Sequence, residues 1–172
     1  MKTCTFILAS ALLLLSLSLK AQEDPYVKSV NDTVQKIDKY NPLTSVAADY
    51  PPESPGQSSI QLTGYFKGDL LCKIICHVIY NWGIVEYEFY FSNEQLLYVH
   101  ETERHLQFDY ELKSYSGELN VAYVGRYYFN SMQIVHEDNM GKKTESYKKG
   151  AGPVLVKNVQ KYMTLLKAKK GN

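Results

Sequence analysis

Residues Glu86–Glu101 read EYEFYFSNEQLLYVHE, two runs rich in aromatic and branched residues around Ser92-Asn93-Glu94-Gln95. Such runs are strands, and the short polar break between them is a tight turn. Arg126–Glu137, RYYFNSMQIVHE, is an imperfect second copy. A repeated hairpin predicts an antiparallel sheet. Working outward, Leu70–Tyr80 is a long strand, Asn81-Trp82-Gly83 a turn, and Ile84–Ser92 and Gln95–Arg104 the two arms of the focal hairpin. Two-residue turns set the pairing sums at about 165 and about 187 in residue number. One face then carries Ile74, Cys76, Val78, Tyr80, Val85, Tyr87, Phe89, Phe91, Leu96, Tyr98 and His100. The other carries Lys73, Ile75, His77, Glu86, Glu88 and Tyr90, a mixed, wet face.

Before Leu70, Gln61–Phe66 is a strand closed by the turn Lys67-Gly68-Asp69. After the focal hairpin, Leu106, Phe108 and Tyr110 alternate as in an edge strand, and Asn120–Asn130 with Met132–Glu137 forms the second hairpin. Two helices flank the sheet. Asp24-Pro25 supplies an N-cap and a first-turn proline, and Val27, Val30, Val34 and Ile37 follow at helical spacing. Leu155, Val159, Tyr162 and Leu166 mark the second helix, from Pro153. Residues 41–59, with Pro42, Pro51, Pro52 and Pro55, read as an extended linker, and residues 139–152 as a Lys/Gly-rich loop. The expected fold is α+β: an antiparallel meander sheet of about six strands, with both terminal helices on one face. Residues 22–59 form the helix and linker, 60–137 the sheet, and 138–172 the loop and last helix, all one domain.

The start of the chain reads as an export signal. Lys2 is followed by the apolar run Phe6–Leu19, and Ala21 is a small residue at a cleavage point, so residues 1–21 would be removed. An N-terminal membrane anchor is the alternative. The mature chain is then expected to be soluble, periplasmic or secreted, with no transmembrane segment. Losing Lys2 and Lys20 from 19 basic residues leaves 17 against 18 acids. The basic residues are unevenly placed: Lys142–Asn172 holds nine lysines and one acid, Glu145. That segment either folds back on the acidic sheet or faces an anionic surface. Nucleic acid is not expected for an exported chain with no other basic motif. Cys72 and Cys76 lie in one strand about 13 Å apart, beyond disulfide reach, and read as small buried residues, with a CxxxC redox or metal pair the alternative.

The stretches Gly64–Leu70, GYFKGDL, and Glu88–Asn93, EFYFSN, resemble a group of exported bacterial proteins of the Bacteroidota type. These carry strands ending in a YYF-x-N/D-G-K-L turn, often twice. The junction Lys20-Ala21-Gln22 is similar to export signals of the same bacteria. Here Ser92–Gln95 and Asn130–Met132 lack the turn glycine. The group has no established activity, so the resemblance implies cell-envelope placement and a hairpin-repeat sheet, and no site residues.

No G-x-S-x-G elbow, phosphate-binding glycine loop or H-E-x-x-H occurs. His77 would face Glu88, with Glu86 nearby, either as a general base or as a cross-strand pair. His100 and His136 occupy matching places in the two hairpins and form a candidate metal pair lacking a third ligand. Tyr90, Tyr128 and Trp82 are candidate contacts for a peptide or glycan, since tyrosine and tryptophan both stack and hydrogen-bond. No cofactor is implied. Three functions remain open: a non-catalytic envelope module binding a protein, peptide or glycan; a small hydrolase or metal-dependent enzyme using His and Glu groups; and a secreted inhibitor or immunity-type protein.

Overall fold

The computed structural model describes residues 24–144 and 151–171. The expected export signal at 1–21 lies outside these residues. Helix α1 (Pro25–Lys39) is followed by strands β1 (Thr44–Tyr50), β2 (Gln57–Lys67), β3 (Leu70–Tyr80), β4 (Gly83–Ser92), β5 (Gln95–Asp109), β6 (Ser114–Asn130) and β7 (Gln133–Gly141). Helix α2 (Ala151–Lys170) completes the order. The strands form one antiparallel sheet in the order of the chain, so every neighbouring pair is a hairpin. The seventh strand is β1, which lies in the expected linker. Residues 44–50 contain no proline, and an edge position tolerates Pro42 and Pro51 on either side. Among the described residues no helix is long and apolar enough to cross a membrane.

Three hairpins share one device. In β2–β3, Tyr65 pairs with Lys73 but Phe66 with Leu71, which leaves Cys72 unpaired. In β4–β5, Tyr90 pairs with Tyr98 but Phe91 with Leu96, which leaves Leu97 out. In β6–β7, Tyr128 pairs with His136 but Phe129 with Ile134, which leaves Val135 out. The turns between Ser92 and Gln95, and between Asn130 and Gln133, put both central residues at positive φ: Asn93 at 48° and Glu94 at 65°, Ser131 at 49° and Met132 at 67°. Tight hairpins that follow strand twist require this conformation, even without glycine.

Each bulge moves the remaining strand by one residue and so exchanges its faces. The expected face therefore holds only as far as Leu96. Beyond Leu97, Tyr98 and His100 lie on the opposite face, while Val99, Glu101 and Glu103 join Phe89 and Val85. This face packs against α2: Leu155, Val159, Tyr162 and Leu166 join Ile60, Leu62, Phe66, Ile74, Cys76, Phe89, Val99 and Phe129 in one core. Gly64 leaves room for Leu166, whose Cδ1 would come within 3.0 Å of an added Cβ.

The helices do not share a face. Tyr65, Lys73, Tyr90, Tyr98, Tyr128 and His136 form one cross-strand row on the second face. Helix α1 lies along this row. Val27 and Val30 cluster with Tyr90, Tyr98 and Tyr128, and Val34 and Ile37 pack at the margin. The Tyr26 hydroxyl donates to the Phe129 carbonyl, and the Tyr128 hydroxyl lies 3.2 Å from Asn31 Oδ1. At the other end of α1, Asp38 meets Lys73 at 3.0 Å. Bulges that gather three tyrosines on this face create a second apolar surface, and α1 covers it. Asp24 caps the helix, accepting from the Tyr26 amide at 2.7 Å.

Candidate functional site

On the α1 face, cross-strand neighbours form a chain of ion pairs. Lys73 Nζ lies 2.5 Å from Glu88 Oε2, and His100 Nδ1 lies 3.3 Å from Glu88 Oε1. The Tyr90 hydroxyl is 2.8 Å from Glu88 Oε2 and accepts from Lys73 at 2.7 Å. The His100 hydrogen bond and then the Lys73 and Tyr90 contacts outweigh burial and hold the Glu88 carboxyl down at about 2. Burial, reinforced by the Glu88 charge, pushes the Tyr90 hydroxyl well above its usual range. His77 pairs across the strands with Glu86, not Glu88, because β3 and β4 meet two residues from the expected register. Its Nε2 is 2.8 Å from Glu86 Oε2, and Arg104 reaches Glu86 at 3.7 Å.

Tyr90, expected on the wet face, and Tyr128, expected as a contact for a peptide or glycan, are both buried beneath α1. His100 and His136 do not converge: β6 runs between them, with Arg126 opposite His100 and Tyr128 opposite His136. His136 packs against the Tyr128 ring at 5.3 Å. Among the described residues no three His, Cys, Asp or Glu side chains are grouped to hold a metal ion. Trp82 lies in the β3–β4 turn, stacked on Tyr80 at 4.6 Å and edge-on to His105 at 4.8 Å. Burial pushes the Cys76 thiol up to about 12, the state of a structural thiol.

The second charged group is on the α2 face. Glu101 and Glu103 are fully buried, with 0 % exposure each. Glu101 pairs with Gly125 across the strands, and Gly125 has no side chain to fill the space. An added Cβ there would lie 2.8 Å from the Tyr127 hydroxyl and 2.9 Å from that of Tyr123. The two rings therefore fold over Glu101. The Tyr127 hydroxyl donates to Glu101 Oε2 at 3.0 Å and lies 2.7 Å from the Tyr123 hydroxyl. Lys143, just past the end of β7, reaches in: its Nζ is 2.7 Å from Glu101 Oε2. The same ammonium lies 5.2 Å from the Tyr123 ring centre and 5.8 Å from that of Tyr127. Burial and the Glu101 charge raise the Tyr127 hydroxyl, which keeps its proton and donates. Glu103 meets His105 Nε2 at 2.5 Å and accepts from the Thr144 hydroxyl. No family profile, curated protein or solved structure matches this chain.

Nothing in the local sequence marks Glu101 as buried, because without the bulge it falls on the wet side. The alternation Tyr123-x-Gly125-x-Tyr127 was the available signal: two rings flanking a missing side chain on one strand face.

The lysine-rich end folds back onto the sheet. Lys161 pairs with Glu53, Lys167 with Glu94 at 2.5 Å, and Lys170 with Asp69 at 2.7 Å. Together with the Lys143–Glu101 pair, these contacts account for four of its nine lysines.

The third feature is an arm. Strand β4 ends its pairing at His105 and β7 at Tyr123, whereas β5 and β6 continue to Asp109 and Ser114. Past that level, β5 and β6 have only each other as strand partners. Phe108 packs edge-on to Tyr110 at 5.2 Å and to Tyr115 at 5.3 Å. Tyr110 is 84 % exposed and Leu112 74 %, and Tyr115, Leu119 and Val121 are exposed too. Asp109 Oδ1 holds the tip by accepting from the Glu111 and Leu112 amides at 2.9 and 3.0 Å.

Proposed function

We propose that the protein is an exported, non-catalytic binding module of the cell envelope, and that it engages a protein partner through the β5–β6 arm. One observation carries this: an arm of two strands presents Phe108, Tyr110, Leu112, Tyr115, Leu119 and Val121 exposed together. Phe108 touches both Tyr110 and Tyr115, and exposed apolar side chains gathered on one arm mark protein contact, while an isolated hairpin gains little stability from them. Tyrosines contribute broad contact area with few rotatable bonds. Asp109, Glu111 and Glu118 against Lys113 make the arm acidic, so the partner is an apolar groove with a basic rim. The envelope placement rests on the apolar leader at Phe6–Leu19. An inhibitor would use the same arm against one tight partner.

The test is site-specific photocrosslinking in the native envelope, with the probe at Leu112 and, as control, at exposed Lys36 on α1. A discrete adduct from Leu112 that disappears when Tyr110→Ser is added supports the reading. No adduct from Leu112, or equal adducts from both positions, overturns it.

A further inference from the structure

Tyr123, Tyr127 and Glu101 surround the Lys143 ammonium in an arrangement that goes beyond an ordinary ion pair. Two ring faces lie within about 6 Å of the charge, the distance at which cation–π attraction operates. A fully buried carboxylate oxygen, Glu101 Oε2, accepts from the ammonium at 2.7 Å. The Tyr127 hydroxyl, a second acceptor, is 3.5 Å from Nζ. The other carboxylate oxygen, Glu101 Oε1, is buried with no hydrogen-bond partner among the described residues. The arrangement has the parts of an ammonium receptor: ring faces and a desolvated counter-charge, with Tyr87 directly across the strands against the same carboxylate. Its occupant comes from outside the regular structure. Residue 143 follows the last strand, in the three residues 142–144, where Lys142 donates to the Ala122 carbonyl and Thr144 to Glu103.

We propose that the Tyr123–Tyr127–Glu101 cage is a binding site for a primary alkylammonium group, the chemistry of a lysine side chain, and that Lys143 is its resident occupant. Three N–H donors distinguish this ligand from a quaternary ammonium, which can satisfy the rings but not the Glu101 oxygens. The site is independent of the arm, so failure of either reading leaves the other standing.

The experiment is chemical rescue of Lys143→Ala. Removing the lysine leaves a buried carboxylate uncompensated, and the unfolding midpoint should fall by about 10 °C. Adding n-butylammonium at ten times its dissociation constant should restore about 4 °C, beyond any effect of equimolar sodium chloride. Tetramethylammonium should restore less than half of that. The wild-type protein should bind n-butylammonium at least tenfold more weakly than K143A, since Lys143 competes. The double variant K143A/E101Q should show no rescue. Rescue equal to that by sodium chloride, equal affinity in wild type and K143A, or full rescue of the double variant each overturns the proposal. If K143A does not fold alone, recovery of the fold on adding n-butylammonium supports the site, and failure to recover it overturns the site.

Discussion

Leu97 of β5 and Val135 of β7 occupy one position twice. Each is the unpaired residue three places after the last left-handed residue of a turn, and each returns an aromatic–aliphatic pair to the core while moving the next residue to the α1 face. Cys72 holds the same place in β3. The core pairs are Phe66 with Leu71, Phe91 with Leu96 and Phe129 with Ile134.

The bulge is a matter of residue count rather than of side chain. Inserting one alanine after Leu97 should send Glu101 and Glu103 to the α1 face and Tyr98 and His100 into the α2 core, with loss of cooperative unfolding by circular dichroism. Leu97→Ala keeps the count at a half-buried position and should cost about 1–2 kcal/mol. Two variants of equal stability would remove the bulge as the determinant of register.

The Asn93-Glu94 turn has a non-glycine residue at its second left-handed position. Glu94→Gly creates Asn-Gly, the sequence this turn favours, and relieves about 1 kcal/mol of backbone strain. The lost pair with Lys167 is largely exposed and contributes at most a few tenths of a kcal/mol. Thermal unfolding should show a net gain of about 0.5 kcal/mol, and a lower midpoint would mean that the ion pair dominates.

Glu88 sets an acid limit. Its carboxyl is lowered from 4.5 to about 2 in the fold, so its stabilisation is present above pH 4.5 and is lost as the pH falls from there to about 2. The amount is of order 3 kcal/mol. Urea unfolding at pH 6 and pH 3 should show the wild type losing more stability than Glu88→Gln by about 2 kcal/mol, the part of the window already crossed at pH 3. Parallel losses in both would assign the acid sensitivity to other groups.

In the native state Cys76 should be inert to a thiol reagent, because it is buried and its thiol is raised to about 12. Half-buried Cys72 should react measurably faster. In a Cys4→Ser background, the native reaction should disappear with Cys72→Ser and survive Cys76→Ser. Equal rates at the two positions would show that β3 opens readily.

The arm should be dispensable for folding. Replacing residues 107–118 with Asn-Gly should leave the unfolding midpoint within about 3 °C of wild type, since the removed residues pair only with one another. A large loss of stability would give the arm a structural role and weaken its assignment to partner binding.

Much of the fold was legible locally. Asp24-Pro25, the valine stripe of α1, and Leu155, Val159, Tyr162 and Leu166 of α2 are local signals, and each is found where periodicity put it. The strands and turns from Leu70 to Arg104 follow from β-branched and aromatic runs broken at Asn81 and Ser92. Strand β1 was missed because the prolines around it mask a short edge strand. The long β5–β6 arm was missed because Gly117 and Ser116 look like the end of a strand rather than an irregularity within one.

The sequence by itself determined that this is an α+β chain with an antiparallel hairpin meander and a helix at each end, because turn chemistry and side-chain period are local properties. Only the tertiary structure decided which face each residue past Leu97 belongs to, that α1 and α2 lie on opposite sides, and that Glu101 and Glu103 are buried. The reason is the period of two along a strand. One unpaired residue exchanges the two faces, and whether a residue is left unpaired depends on which partner across the sheet, here Leu96 against Phe91, gives the tighter core.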